Sequence, residues 1–212
     1  MRRRPELCVA GLLLLVLSVA LVAGSLTAVA PAGASVAVPI TITGTGFDAT
    51  ASKNEVTFAH TNGTSRTAVG EAVGTLNATT GRRTLTLRVP EGLPAGRADL
   101  TVRNTVSNET SSGMGLDILE ISLPVVSSAV QGASGVQVRI VGSSNVRFVA
   151  GATSVSFPGA AGLTVASTTI ESATSLLAVV NVASAATLGA KNVQVKTSTQ
   201  TGVSCRGPGA RV

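Results

Sequence analysis

Apolar and polar residues alternate along four segments of the chain. Apolar side chains occupy every second position at residues 36–42, 85–89, 136–140 and 193–195. A period of two places alternate side chains on opposite faces of a β-strand, so each segment predicts a strand with one face on a core. Short strands separated by Gly, Pro, Asn and Ser at about ten-residue spacing are typical of a β-sandwich or a small barrel. Pro39 cannot donate to a strand ladder, which predicts an edge position or a bulge for its strand.

The order of these features occurs twice. Gly33-Ala34-Ser35 and Gly132-Ala133-Ser134 each precede an alternating strand, and each half continues with a turn, a Phe and a Val-x-Phe strand. A glycine turn and a final strand close each half, and the repeat length suits sandwich domains of about 100 residues. We therefore predict two domains, at residues 25–120 and 121–200, that meet near residues 120–123.

The short join between the halves predicts that the two domains hold a restricted mutual angle. The β pattern is lost after the second domain. Residues 201–212, which include Cys205, are therefore expected to form a disordered tail. Cys8 lies in the N-terminal segment, so no internal disulfide is expected in the mature chain.

The N-terminal segment has the three parts of a secretory signal peptide. Arg2, Arg3 and Arg4 are followed by an uncharged, mostly apolar run from residue 7 to residue 22 and then by small residues. The run is short for a membrane-spanning helix, which needs about 20 apolar residues, and an uncleaved signal anchor is the alternative. We predict a signal-peptide helix at residues 1–24 and a secreted or cell-surface protein that contacts the membrane only through this segment.

Two cleavage positions fit this signal. Cleavage after Ala34 would use an Ala-x-Ala site but would remove residues 25–30, which are predicted to form the first strand. Cleavage after Gly24 leaves both domains complete, and we favour it for that reason.

Composition narrows the fold class and the partners. The chain has no Trp or Tyr, four Phe and only 12% charged residues. It is rich in Val and Thr, which suit a pleated and half-buried surface, so an all-β fold is expected. The formal net charge is +6, but beyond the signal only Arg82 and Arg83 are adjacent basic residues. Nucleic-acid surfaces normally combine clustered basic residues with stacking aromatics, and we therefore predict no nucleic-acid partner.

Residue types that perform catalysis or bind metals are sparse. His60 is the only histidine, and no Gly-x-Ser-x-Gly motif accompanies it, so it is expected to be a solvated loop residue. The acidic residues lie in no recognisable motif. Asp48 with Asn54 and Glu55 comes nearest to a calcium site, and the neighbouring Lys53 argues against it. We predict no catalytic residue, no cofactor and no metal site.

Several motifs of the first half resemble the IPT/TIG immunoglobulin-like domain. Residues 31–47 begin with Pro-Ala-Gly and end with Thr-Gly-Thr-Gly-Phe, and Val-Pro-x-Gly follows at residues 89–92. In the second half Gly-Ser-Ser-Asn-Val-Arg-Phe replaces the Gly-x-Gly-Phe turn, and membership there depends on the internal repeat. The resemblance implies an all-β chain of two tandem immunoglobulin-like β-sandwiches, of the bacterial secreted or surface type. It also implies a spacer or binding role without catalytic residues.

Six residues are predicted to be structural, two in a tight turn and four in the cores. They are Gly44, Gly46, Phe47, Phe58, Phe148 and Phe157. The glycines are expected to supply a positive φ or a close backbone approach.

The chain is thus predicted to be a non-catalytic exported structural or interaction module, a surface spacer or adhesin-like segment that contacts an extracellular protein or glycan. The alternative is a pair of polysaccharide-binding accessory domains of a larger extracellular enzyme. We expect the chain to be part of a longer modular protein.

Overall fold

The computed structural model describes residues 24–124, 128–204 and 210–211. The predicted signal-peptide helix lies outside these residues except for Gly24, and Cys205 also lies outside them. The described chain forms strands and one 3-10 turn at Ala51–Lys53, with no α-helix. The prediction of an all-β fold is confirmed. No helix in the described part of the chain is long and apolar enough to cross a membrane.

The strands divide into two units, each with its own hydrophobic core. The first unit contains β1 (Leu26–Ala30), β2 (Gly33–Ala34), β3 (Pro39–Gly44), β4 (Asn54–His60), β5 (Ser65–Val69), β6 (Ala72–Val73), β7 (Arg83–Arg88), β8 (Gly96–Asn104) and β9 (Met114–Ile118). The second contains β10 (Ile121–Ser122), β11 (Val136–Gly142), β12 (Ser154–Ser156), β13 (Leu163–Ser172), β14 (Ser175–Val182), β15 (Ala190–Lys191), β16 (Val193–Lys196), β17 (Gln200–Ser204) and β18 (Ala210–Arg211). The buried residues change from one core to the other between Ile118 and Leu119.

Two sheets enclose the core of the first unit. One has the strand order β1-β3-β7-β6, and the other contains β2-β9-β8-β4-β5. Leu85 and Leu87 of β7 are fully buried, while Thr84 and Thr86 lie on the opposite face. Full burial of a Leu side chain contributes about 1.5–3 kcal/mol, so the alternation itself drives this layered packing.

The strand predicted over residues 36–42 begins later than expected, at Pro39. Ala37 has a φ of 63°, and its N–H donates to Val89 O at 2.8 Å, so the chain turns before β3. Pro39 opens a strand that lies between β1 and β7, but at Pro39 itself the strand is paired only with β7, so the predicted edge position holds locally. Because the pairing with β1 ends at Thr41, no bond to β1 depends on a Pro39 N–H.

The second unit repeats the two-sheet arrangement. One sheet has the order β10-β11-β14-β13, and β12-β16-β17 belong to the other. Val138 and Ile140 of β11 face Val193 and Val195 of β16 across a shared core. The strands predicted at residues 136–140 and 193–195 are therefore present, each with its apolar face buried.

The prediction of a disordered tail after residue 200 is wrong for the part of the tail that the structure describes. β17 continues to Ser204 in antiparallel pairing with β16, and β18 pairs with β15. The alternation of Gln-Thr-Gly-Val-Ser is too weak to predict a strand. Its partners lie elsewhere in the chain, and one of them belongs to the first unit.

Candidate functional site

The junction between the two units is a continuous β-sheet. Its eight strands have the order β12-β16-β17-β2-β9-β8-β4-β5, so the sheet begins in the second unit and ends in the first. β17 pairs in parallel with β2, where Gly33 lies opposite Gln200 and Ala34 opposite Thr201. The Gly33 N–H donates to Thr199 O at 3.2 Å, and the Ser35 N–H donates to Thr201 O at 3.1 Å. Backbone hydrogen bonds therefore connect the two units.

A buried glutamine holds the turn of the second unit that lies at this junction. The Gln200 side chain is only 7% exposed, and its Nε2 donates to Asn145 O at 2.8 Å. Its Oε1 accepts the Arg147 N–H at 2.8 Å. A buried amide with both ends hydrogen-bonded stabilises one geometry, because any displacement leaves polar groups without partners.

Asn145 carries the same connection to the last strand of the first unit. Its Nδ2 donates to Ile118 O at 2.8 Å, at the end of β9. Two residues separate β9 from β10, and Glu120 is held there by the turn that contains Asn145. The Ser143 N–H donates to Glu120 O at 2.8 Å, and Ser143 Oγ accepts the Glu120 N–H at 3.1 Å. The connection between the units is therefore short, and both the N–H and the C=O of Glu120 are hydrogen-bonded to Ser143.

A cleft of about 270 Å³ opens beside the junction. Val36 and Leu93 give it apolar walls, and Glu91 and Glu120 contribute carboxylates. Its volume is close to the lower limit of small-molecule sites, about 300 Å³. The lining contains no His, Cys, Lys or Arg, so the chemistry that it offers is binding by apolar surface, backbone and carboxylate groups.

His60 is not the solvated loop residue that was expected. It ends β4 with a side chain that is 8% exposed, on the same face of the strand as Val56 and Phe58. Its Nδ1 lies 2.8 Å from Asn62 Oδ1, and its Nε2 has no hydrogen-bond partner among the described residues. The period of two continues for two residues beyond the predicted Val-x-Phe strand and brings His60 onto the core face.

Asn54 explains why the candidate calcium ligands are not arranged around a metal. It is fully buried, and its Oδ1 accepts the Asp48 N–H at 2.8 Å. Its Nδ2 donates to Asp48 O and Thr50 O, both at 3.1 Å, so the side chain holds the loop before β4. Glu55 points instead to Arg103, at 3.3 Å. Within the described residues, no group of three or more His, Cys, Asp or Glu could hold a metal ion.

One carboxylate has a perturbed acidity. The Ser175 hydroxyl donates to Glu171 at 2.8 Å, and Arg139 donates to it at 2.6 Å. These hydrogen bonds, that from Ser175 first, lower the pKa of Glu171. The group is exposed on the surface of the second unit, where it joins β13 to β11 and β14 rather than lining the cleft.

The predicted structural residues divide between the turn after β3 and the cores. Gly46 has a φ of 79° and so supplies the positive φ of the turn. A Cβ on Gly44 would meet Ser25 O and the Phe47 ring, so Gly44 allows a close approach of these groups. The phenylalanines are buried, two in each core; they are Phe47, Phe58, Phe148 and Phe157. These residues do not converge on the junction.

The junction residues Asn145 and Gln200 carry no signal in the sequence. Each lies in a stretch of small polar residues that predicts a turn or a tail. Comparison of the chain with protein-family models and with curated proteins found no match.

Proposed function

We propose that this chain is a non-catalytic, exported structural module that holds two tandem immunoglobulin-like β-sandwiches of the IPT/TIG type at a fixed mutual angle. In this function it acts as a surface spacer or adhesin-like segment, and its partner is an extracellular protein or glycan. The observation that carries the proposal is the sheet that continues from β17 into β2.

The shared sheet favours a rigid spacer over two freely moving domains. Rotation of one unit against the other would break the β2–β17 backbone bonds and the hydrogen bond from Asn145 Nδ2 to Ile118 O. Domain motion is the ordinary expectation where an interface is small and a linker is long. Here only two residues separate β9 from β10, so the connection offers little slack.

The immunoglobulin-like assignment is supported by the Thr-Gly-Thr-Gly-Phe motif and by the two-sheet layering of each unit. The export assignment is supported by the arginines, the apolar run and the small residues of the N-terminal segment. Fold alone does not establish function, so the spacer role needs a direct measurement of rigidity.

Pulsed electron–electron double resonance, which measures the distribution of distances between two nitroxide labels, tests the proposal. The labels are placed at Ala59→Cys in β4 and Gln137→Cys in β11, both exposed positions in different units, with Cys205→Ser to avoid a third label. A second pair of labels, at Ala28→Cys and Ala59→Cys within the first unit, gives the width of the distance distribution that is expected for a rigid body. We expect the distance distributions of both pairs to be equally narrow. A broad or bimodal distribution for the inter-unit pair alone would overturn the spacer proposal.

A further inference from the structure

A hollow of about 300 Å³ lies on the first unit, away from the junction. It is formed by β3, by β7 and by the loop that leads into β7. Its lining residues are all hydroxyl, amide or guanidinium side chains: Thr43, Thr75, Asn77, Thr80, Arg82, Arg83 and Thr84. Two of them are cationic and none is acidic.

The loop that forms one wall of the hollow is held in place by its own hydrogen bonds. The Asn77 N–H donates to Arg82 O at 2.9 Å, and the Gly81 N–H donates to Asn77 O at 2.8 Å. Asn77 Oδ1 also accepts the N–H groups of Thr79 and Thr80, each at 3.0 Å. The wall is therefore formed before any ligand arrives, which lowers the entropic cost of binding.

The floor of the hollow depends on a close approach between two segments. Thr43 and Thr84 lie opposite each other on β3 and β7, and the Gly74 N–H donates to Thr84 O at 2.8 Å. A Cβ on Gly74 would meet the Thr84 hydroxyl, so only glycine lets the segment lie this close. Arg83 Nη1 donates to Gly74 O at 3.4 Å and is held beside the same segment.

The positive charge of the hollow is not neutralised by neighbouring carboxylates. Within the described part of the chain, the ion pairs join Arg88 to Glu71, Arg97 to Asp117, Arg103 to Glu55 and Arg139 to Glu171. Arg82 and Arg83 take part in none of these pairs. Guanidinium groups bind carboxylate and sulfate through charge-assisted hydrogen bonds, so an anion is the ligand that this hollow fits.

We propose that the hollow binds an acidic sugar residue of a polysaccharide. Arg82 binds its carboxylate or sulfate, and the hydroxyls of Thr43, Thr75 and Thr84 bind its ring hydroxyls. The volume matches one ring, since small-ligand sites begin at about 300 Å³. Nucleic acid is a weaker match, because binding of single strands relies on aromatic stacking and this chain has no Trp or Tyr.

The surface beside the hollow favours a polymer over a free anion. Thr41 and Thr86 lie next along the same faces of β3 and β7, and their hydroxyl oxygens are 3.4 Å apart. A chain of sugars that has one acidic ring in the hollow would find further hydroxyl partners along this sheet. The inference goes beyond the spacer proposal, which the label distances test separately.

Binding to defined oligosaccharides tests the inference. Full-length mature protein is titrated calorimetrically, at low salt, with an oligouronate, a sulfated oligosaccharide, a neutral glucan and inorganic sulfate. We expect the protein to bind at least one of the acidic oligosaccharides more tightly than the glucan or inorganic sulfate. Arg82→Gln should weaken that binding about threefold to tenfold, the range of one exposed charge-assisted contact.

Arg88→Gln is the matched control, because Arg88 ends β7, the strand that begins directly after Arg82, and is paired with Glu71. It should change the affinity by less than about twofold, a value within the effect of an exposed rim charge. Thr75→Val removes a lining hydroxyl without changing charge, and it should weaken binding about threefold. Circular dichroism of each variant shows that the fold is retained.

Three results would overturn the inference. The first is an absence of binding to both acidic oligosaccharides. The second is an equal loss in Arg82→Gln and Arg88→Gln with no effect of Thr75→Val, which would mean general charge attraction. The third is equal affinity for inorganic sulfate and the acidic oligosaccharides, which would mean a simple anion site that does not recognise the sugar.

Discussion

Replacing Gln200 with alanine should loosen the junction between the two units. The substitution leaves the Arg147 N–H and the Asn145 carbonyl without their partners, which now lie 2.8 Å away. An unsatisfied buried group costs about 1–3 kcal/mol, and because Asn145 is half-buried and Arg147 is exposed we take the lower half of that range for each group. With the lost packing of the side-chain methylenes, we expect a loss of about 3 kcal/mol in the free energy of unfolding.

Thermal unfolding and label distances measure the two consequences of Gln200→Ala. A loss of about 3 kcal/mol lowers the melting temperature by about 6–12 °C for a protein of this size. The distance distribution between labels in the two units should broaden, while the distribution within the first unit should not change. For thermal unfolding, which uses unlabelled protein, Gln137→Ala is the control, since Gln137 is exposed on β11 and should change stability by less than about 0.5 kcal/mol.

A particular outcome would refute this reasoning about the junction. If Gln200→Ala lowered the melting temperature as expected but left the inter-unit distances narrow, the glutamine would stabilise the second unit without fixing the angle. If both variants behaved alike, the buried amide would contribute nothing beyond an exposed one, and the junction would depend on the β2–β17 backbone pairing alone.

Three further predictions concern the core, the surface and the N-terminus. Phe58→Ala should lower the free energy of unfolding by about 3–5 kcal/mol in urea titrations, because the ring is fully buried. Arg139→Gln should raise the pKa of Glu171 in an NMR titration. In the native protein any stability from this carboxylate is present above its unfolded pKa of about 4.5 and falls as pH drops through the lower folded value. Mass spectrometry of the exported protein should find Ser25 at its N-terminus; a start at Ser35 would mean that β1 and β2 are removed and the cleavage prediction is wrong.

Some features of this fold follow from local patterns in the chain. Leu85 and Leu87 alternate with polar residues, and the structure buries them while Thr84 and Thr86 lie on the opposite face. The side-chain period of a strand is set by its own backbone, so the buried face can be inferred from a few consecutive residues. The same rule, extended two residues beyond Phe58, places His60 on the core face.

The candidate sites were less predictable, because their residues are far apart in the chain. Asn54 belongs to the stretch that comes nearest to a calcium site, where no metal was predicted, but no local pattern shows that its amide holds the preceding loop. Arg82 and Arg83 were noted only as adjacent basic residues. Their hollow requires Thr43 of another strand and the Asn77 turn, which pairing brings beside them.

The sequence by itself determined the all-β class, the two repeated halves and the faces that form the cores, because those properties depend on periodicity within short segments. Only the tertiary structure decided how the halves meet. Gly33 and Gln200 lie at opposite ends of the described chain, and β2 has two residues, too few to show any period. Pairing between such distant segments depends on where the rest of each unit holds them, and no local pattern records that position.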